Sequence, residues 1–248
     1  MMRLAHICRH PIKSIGYEEL SRAFLTQGRA LAFDREWAVA HDAAKFDKLM
    51  SWAPKMNFLR GVAGPSLMAI QATLDEDARQ VTLTHPEAGT ITVHPDTQGD
   101  VLLHWLRPLW PQDRPAPAAV VSVPGQALTD VPEPYVAVLS LASNTALAEV
   151  MGQRLSIHRW RGNLWLDGMA PWAEFGLIGR RLRIGDAELE VRERITRCKA
   201  TTVNPETGVP DGDTLAALSS SQGHQDFGVY AVVLQSGAVA PDDKVELI

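Results

Sequence analysis

A mixed α/β fold, mostly β with a few short helices, follows from three features of the sequence. Short segments of alternating apolar and polar residues recur along the chain, from residues 3–9 to residues 187–195. Clusters of Gly, Pro, Asn and Asp separate them at short intervals. Helical spacing is confined to brief stretches such as residues 101–106 and the Ala146, Leu147, Val150 set.

Residues 3–9 alternate as a strand, and His10-Pro11 ends it because proline cannot donate to a ladder. Lys13-Ser14 follows, a point charge beside a hydroxyl, which suits a phosphate as well as a solvated strand end. Residues 17–26, 31–33 and 37–41 read as further strands, separated by Gly28 and by Asp34-Arg35-Glu36. A short helix is expected somewhere in residues 46–60. Strand character returns in residues 66–74, 81–84 and 90–94, and His85 and His94 read as surface histidines without ligand spacing. The helix at 101–106 should stop before Pro108. Proline-rich stretches at 108–117 and 124–134 read as loops and place the domain junction, with modules at 1–115 and 116–248.

In the second module, residues 135–141 form a short apolar strand. Ser143 or Asn144 then caps a helix closed by Gly152, and such a helix start can also hold an anion. Pro171 fits the first helical position of a turn through Glu174. Gly185-Asp186 between residues 180–184 and 187–195 is a two-residue hairpin signal. A helix over 213–218 and closing strands at 227–239 and 243–247 complete the chain.

The hairpin leads into Ile195-Thr196-Arg197-Cys198-Lys199-Ala200-Thr201-Thr202-Val203-Asn204-Pro205-Glu206-Thr207-Gly208. Here a lone cysteine stands between two cations, which favour the thiolate, the form that attacks electrophiles and binds metals. A small buried core cysteine is the alternative that spacing alone leaves open.

Composition narrows the function. The chain has 248 residues, 46% hydrophobic and 21% charged, as an ordinary soluble globular protein does. Its net charge of −5 argues against nucleic acid or anionic membrane as partners, so any anion site must be local. Cys8 and Cys198 form neither a disulfide framework nor a Cys-x-x-Cys pair. Charges interrupt the N-terminal ten residues, which excludes a signal peptide or span there and points to a cytoplasmic location. There is no Gly-x-Gly-x-x-Gly fingerprint and no iron–sulfur spacing.

The run from Thr196 to Gly208 resembles the signature of MOSC domains, and within them the amidoxime-reducing branch that carries an N-terminal β-barrel module. Pro11-Ile12-Lys13-Ser14 is similar to the start of that module, and Phe33-Asp34-Arg35-Glu36-Trp37 to its Asp-Arg-x-Trp segment. Arg159-Trp160-Arg161-Gly162-Asn163 resembles the family's Arg-Pro-Asn segment, with Gly162 in place of proline, which predicts a looser loop. The resemblance implies a β-barrel module packed on a β-barrel MOSC domain. It implies a molybdenum pyranopterin (molybdopterin) cofactor with Cys198 as the metal's protein ligand. Lys13, Ser14, Arg35, Ser143, Arg161, Asn163, Thr196 and Arg197 would then line the cofactor site. The implied activity is reduction of N-hydroxylated or N-oxide small molecules with electrons from a separate donor protein. A non-catalytic carrier of cofactor or sulfur on Cys198 is the other reading. Pyridoxal-phosphate chemistry ranks last, for want of a lysine in a Schiff-base setting.

Overall fold

The computed structural model describes residues 1–46 and 51–248. Strands β1 (Arg3–Arg9), β2 (Glu18–Leu20), β3 (Ala23–Leu25) and β4 (Trp37–His41) open the chain. The meander β5 (Gln71–Asp75), β6 (Gln80–His85) and β7 (Gly89–Val93) follows, then helix α1 (Gly99–Leu106) and β8 (Pro117–Ser122). Next come β9 (Val136–Ser140), α2 (Leu141–Met151), β10 (Leu164–Asp167), β11 (Arg181–Ile184) and β12 (Ala187–Thr196). Helix α3 (Thr214–Gln222), β13 (Asp226–Gln235), β14 (Gly237–Val239) and β15 (Val245–Leu247) end it. The mixed, mostly β class is therefore what the chain adopts.

One eight-stranded sheet dominates, in the order β15-β11-β12-β13-β9-β10-β1-β2. Strands β9 and β10 run parallel, joined through α2, because parallel neighbours need a crossover. The remaining strands form the pairs β3–β14 and β4–β8 and the meander β5-β6-β7. Pairing does not follow a cut at 115/116. Strand β8 pairs with β4, β14 pairs with β3, and β1 lies against β10 from Arg3↔Asp167 to Ile7↔Leu164.

Period-2 alternation explains why the large sheet carries a core on each face. On β9, Val136 and Val138 join the cluster of Leu4, Ile7, Leu164 and Leu189, while Ala137 and Leu139 join Cys8, Leu147, Trp165 and Phe227. A separate cluster around Trp37, Leu59, Val81, Leu83 and Leu102 fills the meander and α1.

Several local expectations need correction. Residues 31–33 form a turn, since Phe33 takes a left-handed φ of 59° and Asp34 caps His10 N–H at 2.8 Å. Residues 17–26 split into β2 and β3, and Pro65–Ala69 is a 3₁₀ turn ahead of β5. Of the helix expected within 46–60, residues 47–50 lie outside the described residues, and Lys55–Asn57 is a 3₁₀ turn. Pro171 precedes a 3₁₀ turn at Ala173–Leu177 whose cap is Trp172. His85 is buried, its Nδ1 accepting the N–H groups of Glu87 and Ala88. No described helix is long and apolar enough to cross a membrane.

Candidate functional site

Strand ends and turns from both halves of the chain close around a cavity of about 190 Å³. The tip of β12 delivers Ile195 and Thr196, and the 3₁₀ turn at Lys199–Thr202 holds Cys198 at its start. Lys13 and Ser14 arrive on the tight turn after β1, closed by Ile15 N–H to Ile12 O at 3.0 Å. Ser14, Arg35 and Arg161 line the cavity with φ values of 62°, 52° and 50°. Side chains other than glycine visit this left-handed region at a cost of about 1–3 kcal/mol each, and they stay there only when surrounding contacts impose it. For Arg35 the contact is its N–H to His10 O, and for Arg161 its N–H to His158 O.

Seven cations line the cavity: Lys13, Arg35, Lys55, Arg60, Arg159, Arg161 and Arg197. Asp130 is the single carboxylate among the lining residues. In a chain of net charge −5 this local excess is the signature of an anion site. Lys13 is buried and donates to Leu128 O at 2.9 Å and Asp130 Oδ1 at 2.6 Å. Burial lowers the Lys13 pKa against the pull of Asp130. Burial would raise the Asp130 carboxyl, yet Lys13 and Lys55 together hold it down to about 2.

Arg35 pairs with Asp34 and donates to Arg161 O at 2.7 Å, and Arg161 donates to Gly16 O at 3.0 Å and Ile12 O at 3.3 Å. Desolvation, with the neighbouring Arg35 charge, brings Arg161 down to about 9, still protonated at neutral pH. Arg197 donates to Phe227 O and Trp160 O, each at 2.8 Å, and its guanidinium lies over the Trp160 ring at 5.7 Å. Arg159 holds Asp211 through two bonds at 2.9 and 3.0 Å. It is 1% exposed, and its Nε–H has no acceptor among the described residues.

Cys198 is free and exposed at this cavity, and Cys8 is free and buried. Thr196 lines the cavity while its hydroxyl donates to Asp226 at 2.6 Å. Asn163 lines it too, but its amide clamps the sheet, accepting from Ala137 N–H at 3.0 Å and donating to Cys8 O at 3.2 Å. Ser143 is the correction. Helix α2 starts at Leu141 under a Ser140 cap, so Ser143 falls inside the first turn and is fully buried. Its hydroxyl donates to Glu174 at 2.8 Å and accepts from Trp172 N–H at 2.7 Å, away from the cavity lining. Gly162 does not loosen its loop either. A Cβ there would stand 2.1 Å from Leu139 Cδ1, so the loop packs tightly on Leu139, which any larger residue would have to displace.

Lys55, Arg60, Asp130, Arg159, Tyr135 and Tyr230 also line the cavity, and the sequence named none of them as site residues, although Arg159 opens the Arg159–Asn163 segment. The rings of Tyr135 and Tyr230 stack with centroids 4.9 Å apart. Only the charged and aromatic character of these positions could have suggested them, and their convergence is set by tertiary folding. The lining suits an anionic ligand with many hydrogen-bonding edges, next to one accessible thiol.

Comparison with known proteins bears on this arrangement. A family model described as MOSC domain matches residues 126–246, and one described as MOSC N-terminal beta barrel domain matches residues 1–105. A molybdenum cofactor sulfurase from Caenorhabditis elegans is 35% identical over 82 residues, 32% of this chain and 11% of that protein. One from Caenorhabditis briggsae is 36% identical over 74 residues, 29% of this chain and 10% of that protein. The chain thus matches only about a tenth of the length of these curated relatives. The crystal structure of the YUAD protein from Bacillus subtilis superposes with a TM-score of 0.50 at 13% identity, covering 100% of this chain and 96% of that one, a likeness of fold alone.

Proposed function

The chain belongs to the MOSC domain family, with the N-terminal β-barrel module preceding the domain, and on that premise we propose that it is a molybdenum pyranopterin oxidoreductase. Its substrates are N-hydroxylated or N-oxide small molecules, and its electrons come from a separate donor protein. The observation that carries the reading is the free, exposed Cys198 thiol on a cavity lined by seven cations and one carboxylate.

The residues fit such a cofactor. Its phosphate calls for cations and hydroxyls, which Lys13, Ser14, Arg35 and Arg161 bring to one lining. Its ring edges call for buried donors, and the orphan Arg159 Nε–H is one. A soft metal calls for a thiolate, and Cys198 is the thiol at the cavity. When bound, the cofactor would supply a two-electron metal centre with a position open to substrate.

The chain's own residues then bind and orient. The Arg197 guanidinium, fixed on Trp160 O and Phe227 O, sets the backbone from which Cys198 projects. The left-handed turns at Ser14, Arg35 and Arg161 aim their side chains before any ligand arrives, so little ordering is needed on binding. The reaction balances as N–O cleavage: the hydroxylated nitrogen takes two electrons and two protons, and its oxygen leaves as water.

The partial likeness to molybdenum cofactor sulfurases favours a second reading, in which Cys198 carries sulfur or the chain delivers cofactor without turnover. Protein made in a cofactor-synthesising host separates the two. Loaded protein given a dithionite-reduced dye should reduce members of a panel of amidoximes, hydroxylamines and N-oxides, and Cys198→Ser should abolish it. Loaded, reducible protein that turns over none of them, yet passes sulfur or cofactor to an acceptor, would establish the carrier.

A further inference from the structure

Six of the seven cavity cations are committed within the fold, each to a carbonyl or carboxylate. Arg60 is the exception: among the described residues its guanidinium has no hydrogen-bond or ion-pair partner. It is half-buried and lines the cavity. A charge left unspent in a cationic lining, with its backbone fixed, is poised for a ligand.

The backbone is fixed from both sides. Leu59 is fully buried and its N–H donates to Val39 O at 2.8 Å, while Phe58 bridges Ala40. The N–H groups of Ala63 and Gly64 both donate to Arg60 O, at 2.9 and 3.0 Å. Gly61 packs closely on its neighbours, so that a side chain there would have to displace Met68. A Cβ there would stand 2.5 Å from Met68 Sδ and 3.5 Å from Ala200 Cβ. The turn bearing Arg60 therefore passes close to Ala200, two residues beyond Cys198, and both line the same cavity. Lys13 and Lys55, by contrast, are gathered on Asp130. Val62, Tyr135 and Tyr230 in the same lining offer an apolar and aromatic surface to a flat organic body.

We propose that Arg60 is a substrate-orienting residue: it binds a carboxylate carried by the N-hydroxylated substrate, so the preferred substrates are acidic, flat small molecules. The proposal rests on the reductase reading. The same oxyanion chemistry could come from the phosphate of the cofactor, and the experiment separates the two sources.

The test compares a neutral aromatic amidoxime with the same compound bearing a ring carboxylate, using loaded protein and a reduced dye. Wild-type protein should show a KM about tenfold or more lower for the carboxylated compound, as a charge-assisted contact requires. Arg60→Gln should erase that difference while leaving the molybdenum and phosphate content per chain unchanged. Arg60→Lys should restore part of it. An equal KM for the two compounds in wild-type protein, or an equal rise for both in Arg60→Gln, would overturn the proposal. Loss of molybdenum and phosphate in Arg60→Gln would assign Arg60 to the cofactor instead. If loaded wild-type protein reduces neither compound, the reductase reading falls. Titration with the carboxylated amidine, the product class that needs no turnover, then decides the anion site. Binding at least tenfold weaker in Arg60→Gln upholds it, and undiminished or absent binding overturns it.

Discussion

Burial gives the two cysteines opposite chemistry. Cys198 stands exposed at the cavity, whereas Cys8 is 1% exposed and its thiol is pushed up by burial, with Glu19 and Asp34 adding to it. A thiolate reagent should therefore modify Cys198 in the native protein and reach Cys8 only on unfolding, with peptide mass mapping reporting both sites. Equal labelling of the two in folded protein would contradict this. His10 makes a second case. It is fully buried, and burial, with Arg35 and Arg161 close by, holds its pKa well below the usual value. Folded chains keep it neutral, and unfolded chains protonate it below about 6.5. The unfolded state thus binds the extra proton, and stability falls as pH drops through that value, by at most about 1.4 kcal/mol per pH unit from this residue. Urea midpoints at pH 7.5 and 5.5 should show the fall, and His10→Gln should shrink it. His85 and His158 are lowered in the same direction, so the variant will not remove it altogether.

At the scale of elements, the stretch from Leu128 to Asp130 lies across the cation nest as an internal anion. Leu128 N–H donates to Arg35 O at 2.9 Å, and Asp130 spans Lys13 at 2.6 Å and Lys55 at 3.2 Å. An arriving phosphate must compete with that carboxylate. Asp130→Asn should strengthen pyrophosphate binding about two- to fivefold, from the ~0.4–1 kcal/mol of a half-exposed charge pair, measured by calorimetric titration. Weaker binding would instead make Asp130 a positioner of Lys13. Elements with local causes were legible in the sequence. The β11–β12 hairpin turns at Gly185-Asp186, with Gly185 at a φ of 52°, and Asp213 caps α3 by accepting Ala216 N–H at 2.9 Å. Strand β8 was not legible, because prolines flank it and its partner β4 lies far back in the chain. The site divides the same way. The stretches around Lys13, Arg35, Arg161 and Cys198 each have a local pattern, while Arg60, Asp130 and Tyr230 are cavity residues only once the halves meet. Ser143 misled because the true cap, Ser140, is hidden at the end of an apolar strand.

Across the whole molecule the two sequence halves are interleaved. Strand β1 lies between β10 and β2 in the large sheet, with Leu4 and Ile7 buried in its core, and β3 pairs with β14 near the other end of the chain. Residues 126–246 expressed alone would leave the β10 edge unpaired and that core open, so the fragment should be insoluble or lack a cooperative urea transition. Co-expression with residues 1–125 should restore solubility, and a stable, monomeric 126–246 fragment would refute the interdependence. The same interleaving sets a clock on the ribosome. Arg3 and Asp167, which meet across β1 and β10, are 164 positions apart. At ~5–20 residues per second, β1 must wait about 8–30 s for this second partner to be synthesised. During that interval β1 has β2 beside it but lacks the cover of β10, so a nascent chain arrested before residue 164 should bind chaperones through residues 3–9. Once β10 emerges, that binding should end.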